Sequence, residues 1–243
     1  MTSREPALHA LVLADGERPA RAGLDAAWPG WGDAARLVVA ADGGVRLARE
    51  LGLRIDLWVG DGDSAAAEDL DALRAAGVPL DLVARDKDES DTELALLAAL
   101  RRGATDVTIV GGLGGRRFDH AMANVLLLGH PAAAGRAVRL IDERTRVTML
   151  VAGGAPRGAG ANHAAPADVT GDVTVRLLGR IGDLVSLLPL GDSARGVATT
   201  GLRYELANDP LEAGPARGLS NVRTAAEATV SIRIGRLLIV ESP

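Results

Sequence analysis

Cysteine is absent from all 243 residues, which excludes disulfides, thiolate catalysis and cysteine-ligated zinc or iron–sulfur sites. Any metal must therefore sit on oxygen or imidazole, and there are only 4 histidines. Aromatics are scarce as well: Phe118, Tyr204 and 3 tryptophans. The cores must be built from Leu, Val, Ile and Ala, and a flat ligand has few side chains to stack on. No apolar run approaches the roughly 18 to 20 residues that a membrane-spanning helix needs. Residues 1–6 lack a basic-then-apolar leader pattern, so the chain reads as water-soluble and cytoplasmic, with no membrane partner. A formal net charge of -5, without arginines interleaved with aromatics, argues against a nucleic-acid partner. Lysine is used once, at Lys87, in a chain that otherwise uses arginine. A position that keeps lysine calls for a compact, mobile ammonium rather than a planar fork.

What is present is an alternation of short β-branched or leucine-rich runs with helical patterns over residues 8–142. It predicts an α/β, Rossmann-like N-terminal domain with a mostly parallel sheet. Strands are expected at 8–13, 37–40, 57–59, 80–84, 107–110 and 138–141, and helices at 45–51, 66–76, 92–102 and 119–128. The third helix carries a capping-box pattern at Ser90 and Glu93 and ends at Gly103. Residues 152–168, rich in Gly, Ala and Pro, read as a flexible loop. Short runs follow at 173–178, 184–188, 196–200, 228–234 and 237–240, with no convincing helix, as in a small all-β sandwich or barrel. The expected domains are 1–144, carrying nucleotide and metal, and 145–243.

Chemistry collects where the strands of the first half end. Residues 37–40 run into Ala41-Asp42-Gly43-Gly44, and 57–59 into Gly60-Asp61-Gly62-Asp63-Ser64. Residues 80–84 precede Asp86-Lys87-Asp88-Glu89-Ser90-Asp91, and 107–110 precede Gly111-Gly112-Leu113-Gly114-Gly115-Arg116-Arg117-Phe118-Asp119-His120. In an open parallel sheet these ends share one edge, where ligands bind. Gathering Asp42, Asp61, Asp63 and Asp91 there is unfavourable without a cation, since like charges 4 Å apart repel by about 1 to 4 kcal/mol. An oxygen-only acid set suits Mg²⁺, which takes carboxylates together with substrate phosphates. Lys87 with Arg116 or Arg117 supplies positive charge, and the glycine run lets main-chain N–H groups approach phosphate. Any one of these aspartates reads first as a helix cap or turn former. The glycine run matches neither a P-loop nor the dinucleotide fingerprint. The joint occurrence on one edge carries the argument.

In order, Ala41-Asp42-Gly43-Gly44, Gly60-Asp61-x-Asp63-Ser64, Lys87-Asp88-x-Ser90-Asp91-x-Glu93 and the glycine loop leading to Asp119-His120 and Asn124 resemble the motif series of thiamine pyrophosphokinases. Ile141-Asp142, the stretch from Leu187 to Gly191, Thr200 to Leu206 and Gly218-Leu219-Ser220-Asn221 are similar to that family's C-terminal β domain. The resemblance implies diphosphate transfer from ATP to thiamine by an α/β domain and a β-sandwich, in a homodimer whose thiamine sites lie between subunits. It makes Asp42, Asp61, Asp63 and Asp91 the metal and catalytic acids, with Lys87. Gly43, Gly44, Gly112, Gly114, Gly115, Arg116 or Arg117, Asp119 and His120 would hold ATP. Tyr204 would stack on thiamine, with Ser64, Ser220 and Asn221 beside it. The acid cluster alone permits two other functions: a metal-dependent nucleotide phosphohydrolase, or a non-catalytic nucleotide-binding regulatory module.

Overall fold

The computed structural model describes residues 8–153 and 172–243. The chain divides into two compact units, Met1–Glu143 and Arg144–Pro243. The first runs β1 (Leu8–Leu13), α1 (Arg21–Ala27), β2 (Ala35–Ala41), α2 (Gly44–Leu51), β3 (Leu57–Gly60), α3 (Ala67–Ala75), β4 (Leu80–Leu82), α4 (Asp91–Arg101), β5 (Ala104–Val110), α5 (Phe118–Leu126) and β6 (Ala137–Ile141). Its strands are parallel and ordered β6-β5-β1-β2-β3-β4. The chain thus builds outward from β1 on one side, then returns to lay β5 and β6 on the other. That reversal makes the carboxyl ends of β1 and β5 the switch point of the sheet, where the loops diverge and leave a crevice.

Alternation along the strands decides which helix each face receives. Leu11, Leu13, Val38, Ala40 and Trp58 join Val45, Leu47 and Leu51 of α2 in one buried cluster. Ala10, Val12 and Val39, fully buried on the opposite face, meet α4, which packs on β1, β2, β3 and β5. Ser90 caps α4 as its sequence indicates, its Oγ accepting from Glu93 N at 3.2 Å. Several expected ends move: β4 stops at Leu82, and α5 gives way to a 3-10 turn at Leu127–Gly129. Helix α1 is an addition, seven residues with one buried side chain, Leu24.

The second unit is entirely β: β7 (Arg146–Ala152), β8 (Val173–Leu178), β9 (Leu184–Pro189), β10 (Ala194–Thr200), β11 (Ala207–Leu211), β12 (Asn221–Val222), β13 (Glu227–Ile232) and β14 (Gly235–Ser242). Two antiparallel layers, β12-β9-β14-β7 and β11-β10-β13-β8, enclose a shared core of Leu150, Leu177, Val185, Leu187, Val197, Val230, Ile232, Leu237 and Ile239. That is a sandwich. The loop expected over residues 152–168 falls outside the described residues except for its first two. Ala152 belongs instead to β7, buried and paired with Gly235. Arg223, 1% exposed, donates to Glu241 Oε1 at 2.9 Å and to Leu177 O at 2.9 Å.

One buried histidine gives the first unit a pH dependence. His9 on β1 lies 2.9 Å from Thr108 Oγ1 on β5. Burial holds its pKa below the ordinary 6.5, with Asp106 opposing and Arg139 adding to the shift. The unfolded chain therefore binds the proton more readily, and stability falls as pH drops below 6.5 toward the lower folded value. Urea midpoints should decline over that interval and decline less in His9→Gln; equal slopes would remove His9 as the cause.

Candidate active site

The acids leave the strand ends in sequence. Asp42 follows β2 and Asp61 follows β3, and turns then carry Asp63 and Ser64 back beside Asp42. Ligand oxygens of Asp42, Asp61 and Asp63 lie within 4.8 Å of one another. Asp63 N donates to Asp61 Oδ1 at 3.0 Å, Ser64 Oγ to Asp63 Oδ1 at 3.0 Å, and Ser64 N to Asp42 Oδ2 at 3.0 Å. Asp91, first residue of α4, stands outside the trio and receives Lys87 Nζ at 2.7 Å; the same ammonium reaches Asp61 Oδ2 at 3.4 Å. Lys87 thereby joins Asp91 to the other acids.

Asp42 is the most constrained member. It is 2% exposed and has φ of 42°, the left-handed region that few non-glycine residues enter and that Asp and Asn enter at least cost. Its N–H donates to Val59 O at 2.8 Å, and its carbonyl accepts from Trp58 Nε1 at 2.9 Å. Its Oδ1 is buried with no hydrogen-bond partner. Burial raises the Asp42 carboxyl above its ordinary 3.8 despite the Ser64 N–H, and the charges of Asp91 and Asp63 push the same way. The Asp63 N–H lowers Asp61, as does Lys87. Although partial burial opposes its charge, Lys87 is held above 10.5 by Asp91 and Asp61. A strained acid with an orphaned oxygen, beside two further carboxylates, is the donor set a hard divalent cation takes.

The groups expected to bind phosphate follow β2 and β5. Gly43 and Gly44 open α2. At the switch point the glycine loop is tied to the turn after β1, Gly16 N donating to Gly111 O at 2.8 Å. Gly112 is a packing glycine, since a Cβ there would meet Leu140 at 2.6 Å. Its carbonyl accepts from Asn124 Nδ2 at 2.9 Å. Gly114 and Gly115 are exposed and left-handed, at φ of 68° and 87°. Arg117 is engaged by Asp119 at 2.6 Å, which holds that carboxyl down to about 2. Arg116 and His120 are exposed. Sequence reasoning missed Arg46, whose guanidinium bonds Asp15 at 2.7 Å and Ser64 O at 3.1 Å. It also missed the Trp58 indole. The only signal for Arg46 was its place one turn into α2 behind the Asp-Gly-Gly turn.

In the second unit, Tyr204 is 68% exposed on a segment beside β12, where Arg203 N donates to Val222 O at 2.8 Å. Asn221 is buried and bonds the main chain of Tyr204 twice, accepting from its N–H at 3.0 Å and donating to its C=O at 2.7 Å. Val222 N uses the remaining Oδ1 lone pair, at 2.9 Å. Asn221 thus holds the tyrosine in place. Ser220 is exposed at φ of 54°, anchored through its N–H to Ser186 Oγ at 3.0 Å.

The first unit is an α/β domain whose sheet edge gathers three carboxylates and one ammonium, and the second is a β-sandwich. Residues 31–140 match the family model for the thiamin pyrophosphokinase catalytic domain, and residues 173–238 match that for the thiamin pyrophosphokinase vitamin B1 binding domain. The chain is 25% identical over 213 residues to the thiamine pyrophosphokinase of Bacillus subtilis, covering 88% of this chain and 90% of that one. It is similar to the solved thiamin pyrophosphokinase of Geobacillus thermodenitrificans (26% identity, TM-score 0.75, 97% and 98% of the two chains). The yeast enzyme shares the fold (14% identity, TM-score 0.72, 98% and 87% covered). The chain belongs to the thiamin pyrophosphokinase family of ATP-dependent diphosphotransferases.

Proposed function

We propose that the chain moves the diphosphate group of ATP onto the hydroxyl of thiamine, forming thiamine diphosphate and AMP. The oxygen of that alcohol forms a bond to the β-phosphorus and gives up its proton to a site carboxylate or to water, the bond from the β-phosphorus to the oxygen it shares with the α-phosphate breaks, and AMP leaves with that oxygen and the bond's electron pair. The observation that carries the reading is the trio Asp42, Asp61 and Asp63 with the chain's single ammonium joined to it, in a chain whose second unit matches a vitamin B1 binding model.

Asp42, Asp61 and Asp63 would hold Mg²⁺, whose positive charge stabilises polyphosphate oxygens during displacement. Asp91 keeps Lys87 charged and aimed at the site. Lys87 and Arg116 meet developing phosphate charge, the latter having no ion pair of its own among the described residues. Gly114 and Gly115, exposed and left-handed, would offer main-chain N–H groups to phosphate. Tyr204 stacks on the thiamine pyrimidine, with Ser220 bonding its polar edge. A homodimer belongs to the same proposal: α5 leaves Phe118, Met122 and Leu126 exposed beside the glycine loop, an apolar face that assembly would cover.

Purified chain incubated with ATP, Mg²⁺ and thiamine should release AMP only when thiamine is present. AMP or phosphate release without thiamine would replace the transferase with a phosphohydrolase. No turnover at all would leave a nucleotide-binding module.

A further inference from the structure

Trp58 has the largest fully buried side chain among the described residues, yet its one polar atom is spent on the metal-site edge rather than on its own strand. Its main-chain N–H serves the sheet, donating to Pro79 O at 3.0 Å, while the indole Nε1 donates to Asp42 O at 2.9 Å. The approach is close enough that residue 60, between the two, must lack a side chain. A Cβ on Gly60 would lie 2.9 Å from Asp42 Cβ and 3.0 Å from the Trp58 ring.

We infer that Trp58 is a positioning residue for the cation site: its indole N–H fixes the Asp42 carbonyl, and so keeps Asp42 in the left-handed turn that presents its carboxylate to Asp61 and Asp63. This rests on the metal reading above. The backbone of Asp42 disfavours its own conformation, at φ of 42°, and the other strong main-chain tie, Asp42 N to Val59 O, fixes only the peptide on its N-terminal side. The peptide between Asp42 and Gly43 is held by the indole at 2.9 Å and by a long contact from Val45 N at 3.4 Å. Without the indole donor that peptide keeps only the long Val45 contact, the main chain of Asp42 relaxes away from the left-handed region, and the carboxylate, left with the Ser64 N–H alone, shifts from its two neighbours. Groups that orient a metal ligand from behind commonly change metal affinity by about 10- to 100-fold.

The test is Mn²⁺ binding to the intact chain without nucleotide, read from the free-ion electron paramagnetic resonance signal, for the parent, Trp58→Phe and Trp31→Phe. Trp31 belongs to the same core cluster, and its indole donates to Asp25 at 2.9 Å, so its replacement loses comparable volume and one hydrogen bond. Trp58→Phe should weaken Mn²⁺ binding about tenfold, and Trp31→Phe should leave it unchanged at a similar loss of melting temperature. Unchanged Mn²⁺ affinity in Trp58→Phe, or equal weakening in both variants, overturns the inference. If Trp58→Phe does not fold, benzothienylalanine at position 58 keeps the bicyclic volume, replaces the N–H by sulfur and carries the same expectation. A parent chain that takes up no Mn²⁺ sinks the metal reading itself, a result distinct from a parent and Trp58→Phe that bind alike.

Discussion

Asp42→Asn should lower thiamine-dependent AMP release at least about 100-fold and at the same time raise the melting temperature of the metal-free chain. Both effects come from one buried carboxylate. Asparagine keeps the shape, accepts from Ser64 N as the carboxylate does, and tolerates the left-handed backbone. It removes the charge that a cation would need and that burial penalises, and places an amide NH₂ where the unpartnered oxygen stood. The pH dependence has a defined sign. The folded-state pKa of Asp42 is raised above 3.8, so the folded chain binds this proton more readily than the unfolded one. Its contribution to stability is therefore fully present below 3.8 and is lost as pH climbs from 3.8 through the folded value. The gain from Asp42→Asn should therefore be larger at pH 8 than at pH 4.5 when melting curves are compared. Full activity in the variant would take Asp42 out of the site, and a lower melting temperature at pH 8 would overturn the electrostatic account. Activity and stability are opposed at this position, as is common where a site stores unfavourable charge.

The second large effect belongs to Tyr204. Truncation to alanine should raise the KM for thiamine about 5- to 100-fold, because a stacked ring is worth roughly 1–3 kcal/mol. The KM for ATP should stay within about twofold. Folding should be little affected, since the ring is exposed and Asn221 continues to hold the main chain of residue 204. Steady-state kinetics with each substrate varied in turn separates these outcomes; a change confined to ATP would contradict the assignment.

The architecture was legible because it is written locally. Strand patterns ending in Asp or Gly, helix patterns between them and the Ser90 cap are short-range signals, and the sheet's parallel order follows from their alternation. The edge strand β11 escaped notice because Pro210 lies inside it, a residue that demotes a strand pattern yet is tolerated where no neighbour needs its N–H. Helix α1 has one buried side chain over seven residues, too little periodicity to register. Within the site, residue types and their shared edge could be read from sequence, whereas partnerships could not. Nothing local says that Trp58 bonds a carbonyl 16 residues earlier, that Arg46 bridges Asp15 and Ser64, or that Asn221 is consumed by the backbone of Tyr204. Such contacts exist only once the core has packed, and packing is what selects among equally polar side chains.

The solitary Lys87 has a practical corollary. Because no other lysine exists anywhere in the chain, a reagent selective for side-chain amines finds a single address, and that address is paired with Asp61 and Asp91. Isotopic labelling of lysine would likewise place one resonance in an otherwise silent spectrum, so the electrostatic state of this corner can be followed by itself, without assigning anything else.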